Sequence, residues 1–204
     1  MPTCGFPAPS PPGPGHAEGP GMMAHLPRCS PVALTIGHST RTLQSFLDLL
    51  TAHAVERVVD VRTVPRSRHN PQFNQDALPE ALAAVGIRYA HLPGLGGLRH
   101  SRGDSVNPGW RNASFRGFAD YMQTPAFVES LQELLDFISG ERIVLMCAEA
   151  VPWRCHRSLL ADALMVRGVR VEHILSGVRC RPHTLTPFAR VEGTRITYPA
   201  GEIS

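Results

Sequence analysis

The sequence predicts an α/β fold, a three-layer sandwich around a mainly parallel sheet of about five strands, with an irregular C-terminal extension. From Val32 onwards, short apolar runs alternate with stretches whose apolar residues recur at helical spacing. Such alternation is typical of parallel strands joined by right-handed helical crossovers. With 204 residues and 43% hydrophobic composition, the chain is long and apolar enough to fill one core.

The first half of the chain predicts strands over the apolar runs at 32–36, 57–61 and 87–91. Residues 42–53 predict a helix, because their leucines and a phenylalanine fall at helical spacing, and Ser39 or Thr40 is the expected cap. A second helix is expected over 74–85, with Pro79 in its first turn, where proline is tolerated. The Gly-, Arg- and His-rich loop after the third strand is long enough to be either functional or disordered.

The second half of the chain predicts helices over 115–122, 126–139 and 158–166 and strands over 142–146 and 169–175. The pattern leaves the order of the strands in the sheet open. Beyond Ser176 the sequence becomes irregular, although residues 190–198 alternate around Glu192 and Gly193 in the manner of a hairpin.

Composition divides the chain into three parts. Residues 1–31 mix Pro and Gly densely and have little to bury, which predicts a disordered arm in which Met22 or Met23 is a second candidate start. Residues 32–177 form the predicted α/β domain, and residues 178–204 form a C-terminal extension.

Charge and cysteine content narrow the class of protein. A formal net charge of +3 is too small to indicate non-specific nucleic-acid binding by the whole surface, so any anion site has to be local. The chain has no apolar run of membrane-spanning length and no secretory signal at its start. The five cysteines lack the spacing of a disulfide scaffold. We therefore expect a cytoplasmic protein with free thiols and no membrane contact, whose oligomeric state the sequence leaves open.

The stretch from Arg142 to Ser158 carries the strongest functional signal. A buried strand ends in Cys147-Ala-Glu149, and after a short loop Cys155 and His156 precede the next helix. In an open α/β sheet this junction lies at the carboxyl end of a strand, where ligands bind and where a helix start offers free backbone N–H groups. The sequence therefore predicts a ligand site at this junction.

Two other strand ends deliver polar side chains of the same kind. His38 and Ser39 follow the first strand, and Asp60 and Arg62 follow the second. Because the carboxyl ends of parallel strands share one edge of the sheet, a common pocket is expected there.

Four segments together resemble a known family: IGHST at 36–40, VVDVRTVPRS at 58–67, IRYAHLPGLGG at 87–97 and LMCAEAVPWRCHRS at 145–158. They look like the domain of unknown function 488 family, over roughly residues 34–176. The resemblance implies a compact α/β domain with these motifs gathered on one face. It implies no reaction, because the family is named for an unknown function.

The expected catalytic residues are Cys147, Glu149, Asp60, Cys155 and His156. A thiol beside arginines favours the thiolate, and two carboxylates at neighbouring strand ends are suited to acid and base roles. The structural alternatives are a cysteine that serves as a small buried apolar residue and carboxylates that form ion pairs with neighbouring arginines.

The expected substrate-binding residues are basic, small or hydroxyl-bearing and lie in the same loops: His38, Ser39, Arg62, Arg66, Arg154, Arg157, Gly96, Gly97 and Arg99. Arginine side chains bind phosphate groups through charged hydrogen bonds, and glycine lets a ligand come close to the backbone. The partner they predict is a phosphate-bearing small molecule or a nucleic acid.

The sequence does not identify a cofactor. The chain has neither the glycine fingerprint of dinucleotide enzymes nor a Walker-type phosphate loop. No metal ligand is assigned, because Cys147 and the Cys155-His156 pair lack the spacing of a structural zinc module, although a zinc or iron site assembled from separate strands stays open.

The leading hypothesis is an intracellular enzyme that binds a nucleotide or nucleic acid at the strand ends. In it Arg62, Arg154 and Arg157 hold the anion, and a cysteine acts as nucleophile. Two alternatives remain: a non-catalytic nucleotide- or nucleic-acid-binding module, and a thiol-redox or metal-sensing protein.

Overall fold

A computed structural model describes residues 31–200 and contains a six-stranded sheet in the order β3-β2-β4-β1-β5-β6. Its strands are β1 (Val32–Gly37), β2 (Arg57–Asp60), β3 (Arg88–His91), β4 (Ile143–Cys147), β5 (Arg170–Ser176) and β6 (Arg179–Pro182). The first five are parallel to one another, and β6 runs antiparallel to β5. The predicted parallel sheet is confirmed. The arm predicted for residues 1–31 lies, except for Pro31, outside the described residues.

Helices cover both faces of the sheet and complete the predicted three layers. The helices are α1 (Leu43–Ala52), α2 (Leu78–Ala83), α3 (Ala113–Tyr121), α4 (Pro125–Gly140) and α5 (Arg157–Met165). Side chains of β4 alternate between the two cores: Val144 and Met146 pack with α1 and α2, whereas Ile143 and Leu145 pack with α3, α4 and α5. This alternation explains why β4 is apolar at every position, since both of its faces are buried.

The C-terminal extension differs from its prediction in one element. The predicted hairpin is present as β7 (Arg190–Glu192) and β8 (Arg195–Thr197). Residues 179–182, which the sequence predicts to be irregular, instead form the edge strand β6. Its sequence, RCRP, has no apolar alternation because its side chains are mostly exposed, and backbone pairing with β5 holds it in place.

The cap of α1 is also a correction. Thr42, rather than Ser39 or Thr40, caps the helix by accepting a hydrogen bond at its hydroxyl from the backbone N–H of Ser45, at 3.2 Å. Ser39 adopts a positive φ of 49° directly after β1. The turn that this φ produces leaves Ser39 and Thr40 at the edge of the sheet, where they line a cavity.

A buried polar network joins the extension to the core. The carboxylate of Asp162 on α5 accepts hydrogen bonds from the hydroxyls of Tyr198 and Thr186 and bonds the ring of His183 at 2.9 Å. His183 in turn contacts His173 on β5 at 3.1 Å. Since Asp162 is fully buried, these partners are what stabilise its charge.

The strand order places the functional segments side by side. β4 lies between β1 and β2, with Gly37 opposite Cys147 and Asp60 opposite Met146. The carboxyl ends of these three strands therefore meet at one edge. No helix within residues 31–200 has the length and apolarity needed to cross a membrane.

Candidate functional site

A cavity of about 640 Å³ opens at the edge of the sheet where β1, β2 and β4 end. Its walls come from the segments that follow these strands, from the loop after β3 and from the start of α3. The lining residues are His38, Ser39, Thr40, Arg62, Thr63, Val64, Arg66, Ser67, Asn70, Gly97, Leu98, Ser114, Phe115, Cys147, Ala148, Glu149, Ala150, Arg154, Cys155 and His156.

Cys147, Cys155 and His156 lie together on the wall of this cavity, and we call them the thiol–imidazole cluster. The sulfur atoms and one ring nitrogen all lie within 4.8 Å of one another. Cys147 is 9% exposed and Cys155 is 4% exposed. Both cysteines are free thiols. The predicted convergence of thiol and imidazole groups is therefore present.

Hydrogen bonds set the orientation of the His156 ring. Its Nε2 lies 3.1 Å from the carbonyl oxygen of Val61, and a carbonyl only accepts, so Nε2 carries the proton. Nδ1, the other ring nitrogen, faces the Cys155 sulfur at 3.6 Å. Gly97 packs against this ring, and a Cβ added there would lie 2.5 Å from Nδ1.

Arg157 places a buried positive charge beside the cluster. It is 1% exposed, its Nε donates to the Cys155 sulfur at 3.3 Å, and its Nη2 donates to the carbonyl oxygen of Glu149. Within residues 31–200 it forms no ion pair with a carboxylate. Its guanidinium therefore stabilises negative charge on Cys155.

The two thiols differ in acidity. A hydrogen bond from Cys147, followed by contacts with His156 and Arg157, holds the pKa of Cys155 well below its ordinary value. The same hydrogen bond, together with burial, raises the pKa of Cys147. The surroundings of Cys155 therefore favour its thiolate form more than those of Cys147 do.

A second polar group lies against the first two strand ends. Arg62 is tied to both oxygens of Asp60, at 2.5 Å for the shortest contact, and to the carbonyl oxygen of Phe73. Its Nη1 lies 3.3 Å from Nε2 of His38, whose ring stacks on Phe73. Burial, and then the charge of Arg62, lower the pKa of His38. His38 is therefore a neutral imidazole at the cavity wall.

The outer part of the cavity is basic and hydroxyl-rich. The side chains of Arg66 and Arg154 are exposed, and neither forms an ion pair with another described residue. We call these two arginines the basic rim. Glu149 is also exposed, so the ion pair with Arg157 or Arg62 that the sequence left open is absent. Its carboxylate accepts only a long 3.3 Å bond from the Val151 amide.

Most of the predicted site residues meet in this cavity: His38, Ser39, Arg62, Arg66, Gly97, Cys147, Glu149, Arg154, Cys155 and His156. Four others lie outside it: Asp60, Gly96, Arg99 and Arg157.

The four exceptions have local causes. Asp60 is fully buried and saturated by Arg62 and the Tyr89 hydroxyl, and Arg157 lies behind Cys155. Gly96 packs on the backbone of Thr63, where a Cβ would lie 2.7 Å from the amide nitrogen. Arg99 lies 3.7 Å over the Tyr121 ring and bonds the carbonyl oxygen of Gly96.

The start of α5 is less open to an anion than the sequence suggests. The amides of Ser158 and Leu159 donate to the carbonyl oxygens of Cys155 and His156, at 3.0 Å each. These two amides are therefore already paired and are not free to bind an anion.

Several lining residues were not among those predicted. Ser67 and Asn70 belong to the polar loop after β2, and Ser114 and Phe115 begin α3. For the first pair, the only signal in the sequence is the polar composition of their loop. For the second pair, it is the closeness of the aromatic residues Trp110 and Phe115. Neither signal shows that α3 returns to the ends of β1 and β4.

Among protein-family models, the one described as domain of unknown function DUF488 matches residues 42–164. The match includes the whole thiol–imidazole cluster and the basic rim. No curated protein and no solved structure matches the chain.

Proposed function

Because the chain belongs to the DUF488 family, whose name assigns no activity, we propose from its own residues that it is an enzyme acting on a phosphate-bearing ligand, most simply a nucleotide. The observation that carries the proposal is one cavity lined both by the exposed basic rim, which has no ion-pair partner among the described residues, and by the thiol–imidazole cluster.

The basic rim supports binding of an anion. Arg66 and Arg154 both line the cavity and have no carboxylate partner within residues 31–200. Guanidinium groups bind phosphate oxygens through charge-assisted hydrogen bonds, and hydroxyls such as that of Ser67 add neutral ones. Arg62 and Arg157 are not assigned to phosphate binding, because Arg62 is paired with Asp60 and Arg157 is buried behind Cys155.

The size and walls of the cavity fit a nucleotide. A volume of about 640 Å³ lies within the range of small-molecule sites, roughly 300–1,000 Å³. Phe115, Leu98 and Val64 give one part of the wall an apolar character. Such a wall is suited to a base or sugar, while the basic rim takes the phosphate.

The cluster supplies the reactive groups of the proposed enzyme. Arg157 donates a hydrogen bond to the Cys155 sulfur, which favours the thiolate, and the His156 imidazole lies beside the same sulfur. Glu149 lies on the same cavity with an exposed carboxylate that is free to exchange protons. Asp60 is not part of this set, because it is a positioning residue for Arg62.

The test is calorimetric titration of the full-length protein with nucleoside mono- and diphosphates and with inorganic pyrophosphate. Arg154→Ala and Arg66→Ala should each weaken binding about tenfold or more, since a hydrogen bond to a charged group contributes about 1.5–3 kcal/mol. Arg170→Ala is the matched control, because this exposed arginine lies at the opposite end of the sheet. Equal affinity in all four proteins, or no binding of any phosphate, would overturn the proposal.

The rival hypothesis, a non-catalytic nucleic-acid-binding module, gives a different result. Such a module should bind an oligonucleotide far more tightly than a mononucleotide, with an affinity that falls steeply as salt rises. Its binding should also be unaffected by Glu149→Gln. Mononucleotide binding that depends on Arg154 favours the enzyme.

A further inference from the structure

We propose that the thiol–imidazole cluster is a mononuclear zinc site, with Cys147, Cys155 and His156 as the three protein ligands and a fourth position open to the cavity. The inference rests on the proposed function, because the zinc ion would be the reactive centre of the same ligand-binding cavity. The family match assigns no metal to these residues.

The donor atoms have the separation that zinc requires. Zinc binds sulfur at about 2.3 Å and imidazole nitrogen at about 2.0–2.1 Å, so the ligand atoms of a tetrahedral site lie roughly 3.5–3.8 Å apart. Nδ1 of His156 lies 3.6 Å from the Cys155 sulfur, and the three atoms lie within 4.8 Å of one another. The separations in the structure therefore exceed those of a tetrahedral site by at most about 1 Å.

Two of the three ligands make an outer hydrogen bond of the type that metal sites use. His156 donates its other ring N–H to the carbonyl oxygen of Val61, which leaves Nδ1 as the coordinating atom. The Arg157 Nε–H donates to the Cys155 sulfur. Donors to sulfur favour the thiolate form that binds metal.

The number of ligands and their chemistry point to a catalytic type of zinc site. Structural zinc sites are closed by four protein ligands, whereas catalytic sites have three and leave one position for water or substrate. All three cluster residues line the cavity, so the remaining position faces the ligand-binding space. Thiolate and imidazole ligands select zinc over the oxygen-preferring magnesium and calcium ions.

The charges of the site are consistent with an anionic ligand. Two thiolates neutralise a divalent zinc ion, and Arg157 then leaves one net positive charge at the base of the cavity. A net positive charge beside the cavity favours the phosphate-bearing ligand proposed above.

The direct test is a cobalt titration followed by absorption spectroscopy. It uses the full chain with Cys4→Ser and Cys29→Ser, which removes the two thiols outside the described residues. We expect one equivalent of Co²⁺ to give thiolate-to-cobalt charge transfer and tetrahedral d–d bands, and zinc to displace it. Absence of these bands, or bands that need more than one equivalent, would overturn the proposal.

Single substitutions assign the ligands. Cys147→Ser, Cys155→Ser and His156→Gln should each abolish the tetrahedral spectrum or weaken cobalt binding by at least about 10–100-fold. Cys180→Ser is the matched control, because this free thiol lies on β6, outside the cavity, and should leave the spectrum unchanged. A spectrum that survives Cys155→Ser, or that is lost with Cys180→Ser, contradicts the assignment.

A measurement on the unsubstituted chain guards against variants that fail to fold. X-ray absorption of the zinc-loaded protein should give two sulfur and two nitrogen or oxygen neighbours. An all-oxygen shell overturns the proposal. Neither the cobalt titration nor the X-ray absorption measurement uses a phosphate ligand. If both show no metal bound at the cluster while nucleotide binding still depends on Arg154, the metal site is rejected. The proposed function then stands, with Cys155 acting without a metal.

Discussion

Close contacts with neighbouring atoms explain which residue type stands at several positions in and around the cavity. Gly97 has no side chain because the His156 ring occupies the space where one would lie. Asp60 and Arg62 hold each other at the end of β2, so Arg62 lines the cavity as an arginine that is already paired. The residue types at these positions are therefore explained by packing and ion pairing as much as by a role in ligand binding.

Gly97→Ala tests the contact that orients His156. The added Cβ would lie 2.5 Å from Nδ1 and 2.6 Å from Cγ of the ring, so the ring has to leave its position beside Gly97. We expect an unchanged circular dichroism spectrum and cobalt or nucleotide binding at least about tenfold weaker. Gly103→Ala is the control, because nothing lies within 4 Å of a Cβ there. Equal binding in both variants would show that the His156 position is unimportant.

Asp60→Asn tests the buried ion pair. Removing the carboxylate charge leaves Arg62 buried without a counter-charge, which typically costs about 3–5 kcal/mol. Urea denaturation should therefore show a large fall in the free energy of unfolding. Asp104→Asn breaks the exposed pair with Arg102 and should change stability little. If Asp60→Asn were as mild as that control, the ion pair would not be structural.

The position of a residue at a strand end was predictable, but the direction of its side chain was not. Cys147, Glu149 and Cys155 were expected in the pocket because they follow an apolar strand, and all three line it. Arg99 was expected there from its glycine-rich loop, yet the Tyr121 ring holds it elsewhere. Loop side chains are directed by tertiary contacts that short-range patterns do not encode.

At the scale of elements, the site depends on which strands are neighbours. The strands themselves were predictable, because apolar runs bounded by polar loops mark β1, β2, β4 and β5. Their order was not, because nothing in a local pattern says that β4 inserts between β1 and β2. β6 was missed because its pairing is through the backbone and its side chains are largely exposed.

The polar network between β5, α5 and the extension predicts a pH dependence of stability. Burial, and then the neighbouring His183 and Arg157, lower the pKa of His173 from 6.5 to about 4. The unfolded chain therefore binds a proton as pH falls through 6.5, while the folded chain resists it. The free energy of unfolding should fall between pH 6.5 and about 4, and this contribution is fully present above pH 6.5.

Urea denaturation across this pH range measures the effect. His173→Gln should lower stability at neutral pH and flatten the decline relative to the unsubstituted protein. His69→Gln is the control, since His69 is exposed in the loop after β2. A decline of the same slope in His173→Gln would contradict the assignment of this proton to His173.

At the scale of the whole molecule, the C-terminal extension is part of the folded domain. The family match ends at residue 164, but Tyr198 and Ile196 beyond it are buried in the core with α3, α4 and α5. The Tyr198 hydroxyl also donates to Asp162, at 2.8 Å. The sequence predicted the hairpin but not that it closes one side of the core, because its strands are short and polar.

Two substitutions at Tyr198 measure what the extension contributes. Tyr198→Phe should lower the free energy of unfolding by about 0.5–1.5 kcal/mol through the lost hydrogen bond. Tyr198→Ala should lower it by about 3–5 kcal/mol, because a large buried ring is removed. Thermal and urea unfolding give both values. Near-equal stability of all three proteins would show that the extension packs only loosely on the domain.

The central claim, that the cavity at the ends of β1, β2 and β4 binds a phosphate-bearing ligand, is tested most directly by NMR. Backbone amide shifts would be followed while a nucleoside monophosphate and pyrophosphate are titrated into the labelled protein. We predict that the moving signals belong to the cavity segments, residues 38–40, 63–70, 97–98 and 147–156. An absence of shifts, or shifts confined to surfaces away from these segments, would contradict the account.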